Sequence, residues 1–176
     1  MNCEPSGKVD TQAKLELDND IDVHEIECVI DNLKKGKSPG FDGFPAELYQ
    51  VFKNQFSEIL HKLFKTCFQL GFLSDSMYCG VMTQIYKGTG EKALRQNWRP
   101  ITLLPVDYKS LTKILFNRLK EPAKVFIDVD QSCSLPSRNI RHGILTIFSV
   151  LDKVNTSKEN GILLSVDQKC AFDVVE

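Results

Sequence analysis

The sequence is short of several things that would give it a ready function. It has no run of eighteen apolar residues, which excludes a membrane-spanning helix of ordinary length. Its six cysteines are scattered, with no C-x-x-C pair and no histidine couple nearby, so neither structural zinc nor a disulfide framework is expected. The opening Met-Asn-Cys-Glu-Pro-Ser lacks the charged-then-apolar pattern of a secretory signal. A reduced, intracellular protein is the expectation, with nothing to choose between nucleus and cytoplasm. Cys28 and Cys67 fall on helical apolar faces and read as small buried hydrophobes. Internal repeats and low-complexity tracts are absent, and so is any strong net charge, the formal value being −1. That near-neutrality conceals an asymmetry. Residues 1–31 carry nine acids and two bases, whereas the remainder carries fourteen acids and twenty bases. A basic body behind an acidic leader suits contact with a phosphate backbone.

What is present is a set of 176 residues with 42% apolar content, enough for one domain with a core. Residues 1–20 are polar and aperiodic and read as a mobile, acidic lead-in. A helix is expected from Asp22, with Glu25 completing a capping box, Ile26, Val29, Ile30 and Leu33 forming the apolar stripe, and Gly36 ending it. The loop Lys37 to Pro45 holds two glycines, two prolines and an Asp-Gly pair, with Pro45 opening the next helix. Phe56, Ile59, Leu60, Leu63, Phe64, Cys67 and Phe68 keep helical spacing up to Gly71 and read as core. The period then changes. Val81 to Tyr86 and Trp98 to Leu104 suggest a β-hairpin, with Pro100 marking an edge or irregular strand and Lys87, Lys92, Arg95 and Arg99 at its embellished tip. Such a hairpin is either a gripper of phosphates or an ordinary solvated one. Two more helices follow, about Asp107 to Lys120 and Ile140 to Val154. A polar break then leads to Gly161-Ile-Leu-Leu-Ser-Val-Asp167, an apolar run with the character of a buried strand. An acid at the mouth of such a strand is placed either to hold a metal or to cap the turn.

Five segments in order resemble the reverse transcriptases of long interspersed element (LINE) type non-LTR retrotransposons. They are Leu33-Lys-Lys-Gly-Lys-Ser-Pro-Gly-Phe-Asp-Gly-Phe-Pro-Ala-Glu47, Asn97-Trp-Arg-Pro-Ile-Thr-Leu-Leu104, and Lys113-Ile-Leu-Phe-Asn-Arg-Leu119. Asp130-Gln131 with Pro136 and Arg138, and Ser165-Val-Asp167 with Ala171-Phe-Asp173, complete the series. The resemblance implies an α+β fold, the partial right hand of a polymerase: helix-rich fingers with a β-hairpin over residues 21–160, and the first palm strand over 161–176. It implies that Asp167 is the first catalytic aspartate and a ligand of Mg2+, and that Lys87, Arg99 and Arg138 face the nucleotide and its triphosphate. It further implies that Phe172 stands at the sugar pocket and that Gly40, Asp42 and Gly43 help to position the template. The implied partners are an RNA template, a DNA primer and deoxynucleotide triphosphates.

The sequence departs from the family in several places. No Asp-Asp pair occurs in the 176 residues, so the family's aromatic-x-Asp-Asp turn is absent from them, as are its thumb and zinc knuckle. Ser132-Cys133 stands where Gly-Phe is usual, Ser137 where a glycine is, and Lys169-Cys170 where Glu-Lys is. A two-metal site needs its full carboxylate set. The expectation is therefore a truncated reverse transcriptase domain that does not polymerise by itself. The competing readings are a non-catalytic nucleic-acid-binding remnant or domesticated fragment using the basic fingers, and an inactive remnant whose residues 162–166 form an exposed strand edge.

Overall fold

The computed structural model describes residues 11–128, 131, 138–158 and 160–166. Its elements are α1 (Thr11–Asp18), α2 (Val23–Asp31), α3 (Ala46–Val51), α4 (Lys53–Leu70), β1 (Val81–Tyr86), β2 (Trp98–Leu103), α5 (Val106–Leu119) and α6 (Ile140–Ser157). Short 3-10 turns lie at Asp75–Tyr78, Arg95–Asn97 and Pro122–Val125. The described chain is thus a set of helices with one small antiparallel sheet. It forms two compact units that divide between Phe126 and Ile127, inside the stretch read as fingers.

The first unit is organised around α2. The Asp22 backbone N–H donates to Glu25 Oε2 at 3.1 Å, the reciprocal half of the expected capping box. One face of the helix buries Ile26, Val29 and Ile30, and it packs on α3, α4 and α5. Tyr49, Leu60, Phe64, Met77, Val106, Leu111 and Ile114 close the core around it. Full burial of a side chain such as Phe64 or Ile26 contributes about 2–3 kcal/mol. The buried hydroxyls are satisfied locally: Ser110 donates to Val106 O (2.8 Å) and Ser57 to Asn54 O (3.0 Å).

Several boundaries differ from expectation. Helix α2 stops at Asp31 rather than running to Gly36, because the Asn32 side-chain amide takes the Cys28 carbonyl at 2.7 Å and Asn32 closes the helix. Pro45 is the residue before the first turn of α3, not within it. Cys28 is exposed, with its Sγ 3.1 Å from His24 Nδ1, whereas Cys67 is buried as expected. Val29, next to Cys28, faces the core, and one residue along a helix turns the side chain by about 100°. On α4 the stripe is broader than the core it meets. Leu60, Phe64 and Cys67 are buried, while Ile59 and Phe68, at its margins, are exposed. Within the acidic lead-in, Thr11–Asp18 is helical, and α1 packs on α5.

β1 and β2 pair antiparallel from Val81↔Leu103 to Tyr86↔Trp98, with Arg99 opposite Ile85 and Pro100 opposite Gln84. With only two strands both are edges, so Pro100 withholds at most one ladder donor. The Tyr86 and Trp98 rings, 5.5 Å apart, close the end of the ladder nearest the tip.

In the second unit, α6 covers the helix expected over Ile140 to Val154. Its apolar positions Ile140, Ile144, Ile147, Phe148 and Leu151 are nevertheless exposed. Residues 161–166, expected as a buried strand, are not one. They pair with no described strand, and Ile162 is 97% exposed. An apolar β-forming run becomes a strand only through a ladder with a neighbour, and a lone extended segment has none of that stabilisation.

Candidate functional site

The loop between α2 and α3 is held at several points. Gly36 N–H donates to Glu47 Oε1 at 2.6 Å, which keeps that carboxyl below its usual range. The Gln50 amide reaches back to Ile30 O (3.1 Å) and Leu33 O (3.0 Å). Gly43 N–H closes a turn onto Gly40 O at 3.2 Å, with Gly43 at φ +74°, and Phe44 N–H donates to Asp42 Oδ1. Only a residue without Cβ takes that φ readily. Gly40 is required for a different reason. It lies against the chain where β2 passes into α5, and a Cβ there would stand 2.6 Å from Pro105 N and 2.7 Å from Pro105 Cα. The loop is therefore seated on the root of the hairpin.

The same junction brings Asp42 near Asp107 and Tyr49. Burial pushes the Asp107 carboxyl above the usual carboxylate value and the charge of Asp42 adds to this, while the Tyr108 N–H holds it down. Burial also pushes the Tyr49 hydroxyl up, with Asp107 and Asp42 in the same direction.

Of the four cations at the hairpin tip, two are engaged. Lys87 Nζ donates to Gln96 O at 2.6 Å and its backbone N–H to Asn97 O at 2.8 Å. Lys92 lies over the Tyr86 ring, 5.5 Å from its centroid. The loop is further knitted by Trp98 Nε1 to Lys92 O and Asn97 Nδ2 to Glu91 O, both 2.8 Å, and by the Tyr86 hydroxyl donating to Gly90 O. Arg95 and Arg99 are exposed, and neither guanidinium has a hydrogen bond or ion pair among the described residues. Arg99 shares a sheet face with Ile85, Thr83 and Ile101, so the strand pairing fixes its direction.

Arg138, in the second unit, is spent on backbone. Its guanidinium donates to Ile127 O and Gln131 O, each at 3.0 Å, and to Asp128 O. Asp167 and Phe172 lie outside the described residues. Lys87 and Arg99 thus share the hairpin, while Gly40, Asp42 and Gly43 share the loop beneath it.

Sequence reasoning gave Arg118 no role, and it carries the largest polar cluster described. Its Nε and one terminal nitrogen grip Glu25 at 2.9 and 2.6 Å. The fork also reaches Leu17 O (3.3 Å), Asn19 O (2.5 Å) and Asp20 O (2.9 Å). The guanidinium holds the Glu25 carboxyl below the usual carboxylate range. No local signal links residues 25 and 118. Only the i, i+3 capping pair announced that Glu25 has a fixed position.

A family profile described as "Reverse transcriptase (RNA-dependent DNA polymerase)" matches residues 85–176. The chain is similar to the "Transposon TX1 uncharacterized 149 kDa protein" of Xenopus laevis, 32% identical over 171 residues that make up 96% of this chain and 13% of that protein. It is also similar to the "Putative 115 kDa protein in type-1 retrotransposable element R1DM" of Drosophila melanogaster, 31% identical over 102 residues, 57% of this chain and 10% of that one.

Proposed function

Since the chain belongs to the reverse transcriptase family, of the kind found in LINE-type non-LTR retrotransposons, we propose that it is the fingers and first palm segment of such a polymerase. In this reading it binds an RNA template paired with a DNA primer inside the cell. It contributes to RNA-templated DNA synthesis in a longer parent and does not extend a primer by itself. The chain spans about an eighth or less of the relatives it matches. The observation that carries the reading is Arg99: an exposed guanidinium on a paired strand, without a partner among the described residues, beside a tip whose other cations are partly committed. A planar fork of donors bridges phosphate oxygens, whether of a nucleotide or a nucleic-acid backbone. Arg95 adds a second cation without a partner among the described residues. Gly40, Asp42 and Gly43 act through the hairpin root rather than by touching a ligand, and Arg138 supports its own loop.

Magnesium is the cofactor this reading implies, with Asp167 as ligand and Phe172 at the sugar pocket. Among the described residues no three His, Cys, Asp or Glu side chains come together to hold a metal. The described part of the chain does not build the metal site. No described helix is long and apolar enough to cross a membrane.

The test is fluorescence anisotropy with a labelled RNA–DNA primer–template over a salt series. Arg99→Ala is expected to weaken binding about three- to tenfold and to flatten the salt slope by about one. Binding that ignores both salt and Arg99 would sink the proposal. In a companion assay with magnesium and all four deoxynucleotides, this chain alone is expected to leave the primer unextended, and a ladder of products would overturn the inactive reading.

A further inference from the structure

The loop between α2 and α3 also holds a group of charges that the hairpin reading leaves unused. Residues 34–38 are exposed in succession, and three of them are lysines, Lys34, Lys35 and Lys37. None of the three has a hydrogen bond or ion pair among the described residues. Gly36 is tied to Glu47, Leu33 O to the Gln50 amide, and Gly40 is packed on Pro105, so the run is held at both ends. The Glu47 carboxylate, bonded to Gly36, is one opposing charge near Lys35, and three lysines in four residues still leave the loop net positive, a ready place for a further anion. Ser38 sits at the end of this run, exposed, with its hydroxyl free of any partner among the described residues. Pro39 follows it. Of the seven prolines in the sequence, Pro39 alone is preceded by a serine or threonine.

We propose that Ser38 is a phosphorylation site for a proline-directed serine/threonine kinase, and that its phosphate draws Lys35 and Lys37 away from nucleic acid. Proline biases the residue before it toward extended backbone, the shape a substrate takes in a kinase groove, and it brings no N–H that the groove would have to satisfy. In the transfer, Ser38 Oγ attacks the γ-phosphorus of ATP and a new O–P bond forms. The bond to the bridging oxygen breaks, ADP leaves with the electron pair, and the hydroxyl proton passes to the kinase's catalytic base. The product adds about −1.5 to −2 charges and three acceptor oxygens beside three ammonium groups. Lysines occupied in that way no longer displace counterions from an RNA backbone. The modification stands apart from the polymerase reading, and its consequence for RNA rests on that reading.

The experiment incubates the full chain with MgATP and a purified kinase of the cyclin-dependent class, then reads intact mass and fragment spectra. One phosphate is expected, on Ser38, and none in Ser38→Ala or Pro39→Ala chains that melt like the wild type. No incorporation into the wild-type chain, or incorporation that survives Ser38→Ala, overturns the site. Phosphorylated and unmodified chains are then titrated against labelled single-stranded RNA at low salt, where a loss of about tenfold is expected for the phosphorylated form. Equal affinities overturn the switch. An unmodified chain that does not bind RNA counts against the polymerase reading, and the mass spectra still decide the modification.

Discussion

Arg118→Ala is expected to lower the stability of the chain by about 2–3 kcal/mol, read as a drop in the urea midpoint at unchanged slope. The guanidinium makes two bonds to Glu25 and three to backbone carbonyls of residues 17, 19 and 20. Its side chain is only 12% exposed, so truncation leaves partly enclosed acceptors without a donor. The solvent that reaches Glu25 keeps the figure below that of a fully buried pair. Arg118→Lys restores the charge but not the fork, and should recover less than half of the loss. The pair also predicts an acid response. The Glu25 carboxyl is held below its ordinary value of 4.5 in the folded chain, chiefly by Arg118. A depressed folded value means that the unfolded chain takes up the proton first. The contribution is therefore complete above about pH 4.5 and is lost as pH falls through the folded value. The gap between the midpoints of wild type and Arg118→Ala should narrow over that fall, towards what the three carbonyl bonds contribute. A gap that persists unchanged to low pH would show that the ion pair is not its source.

Gly40→Ala is expected to cost about 2–3 kcal/mol, as large as many core substitutions although it adds one methyl group to a loop. The added carbon would stand 2.6–2.8 Å from backbone atoms of Leu104 and Pro105, which cannot swing aside as a side chain can. Relief requires the loop to lift from the hairpin root, so the loss of thermal stability should come with weaker RNA binding. Gly43→Ala is the control. Nothing lies within 4 Å of its would-be Cβ, and its penalty is the φ of +74° alone, about 1 kcal/mol. If the two variants melt alike, the seating of the loop on Pro105 carries no weight.

Much of the local structure is legible in the sequence. The capping pair at Asp22 and Glu25, the apolar spacing of α2 and α4, and the change to period two at Val81 are written in short windows of sequence. They appear close to where they were expected, because caps, stripes and pleats depend on neighbours within about four residues. The family was legible for another reason. Five motifs in fixed order carry it, and the profile match and the two transposon relatives agree. The unpaired state of Arg99 was half legible: its place on a hairpin follows from pattern, its lack of partners does not.

What the tertiary structure alone decided concerns pairs far apart in the chain. Sequence gave no sign that Arg118 would anchor Glu25 and the carbonyls of residues 17–20, or that Gly40 would be required by Pro105 rather than by its own φ. Nor could it tell which margin of an apolar stripe stays wet, as Ile59 and Phe68 do. The run from Gly161 to Val166 is the clearest case. By composition alone it reads as a strand, and the residues described here make no ladder with it. Strand character belongs to the pair, since the backbone groups of an extended segment are satisfied only by a neighbour, and that neighbour is not encoded in the segment itself.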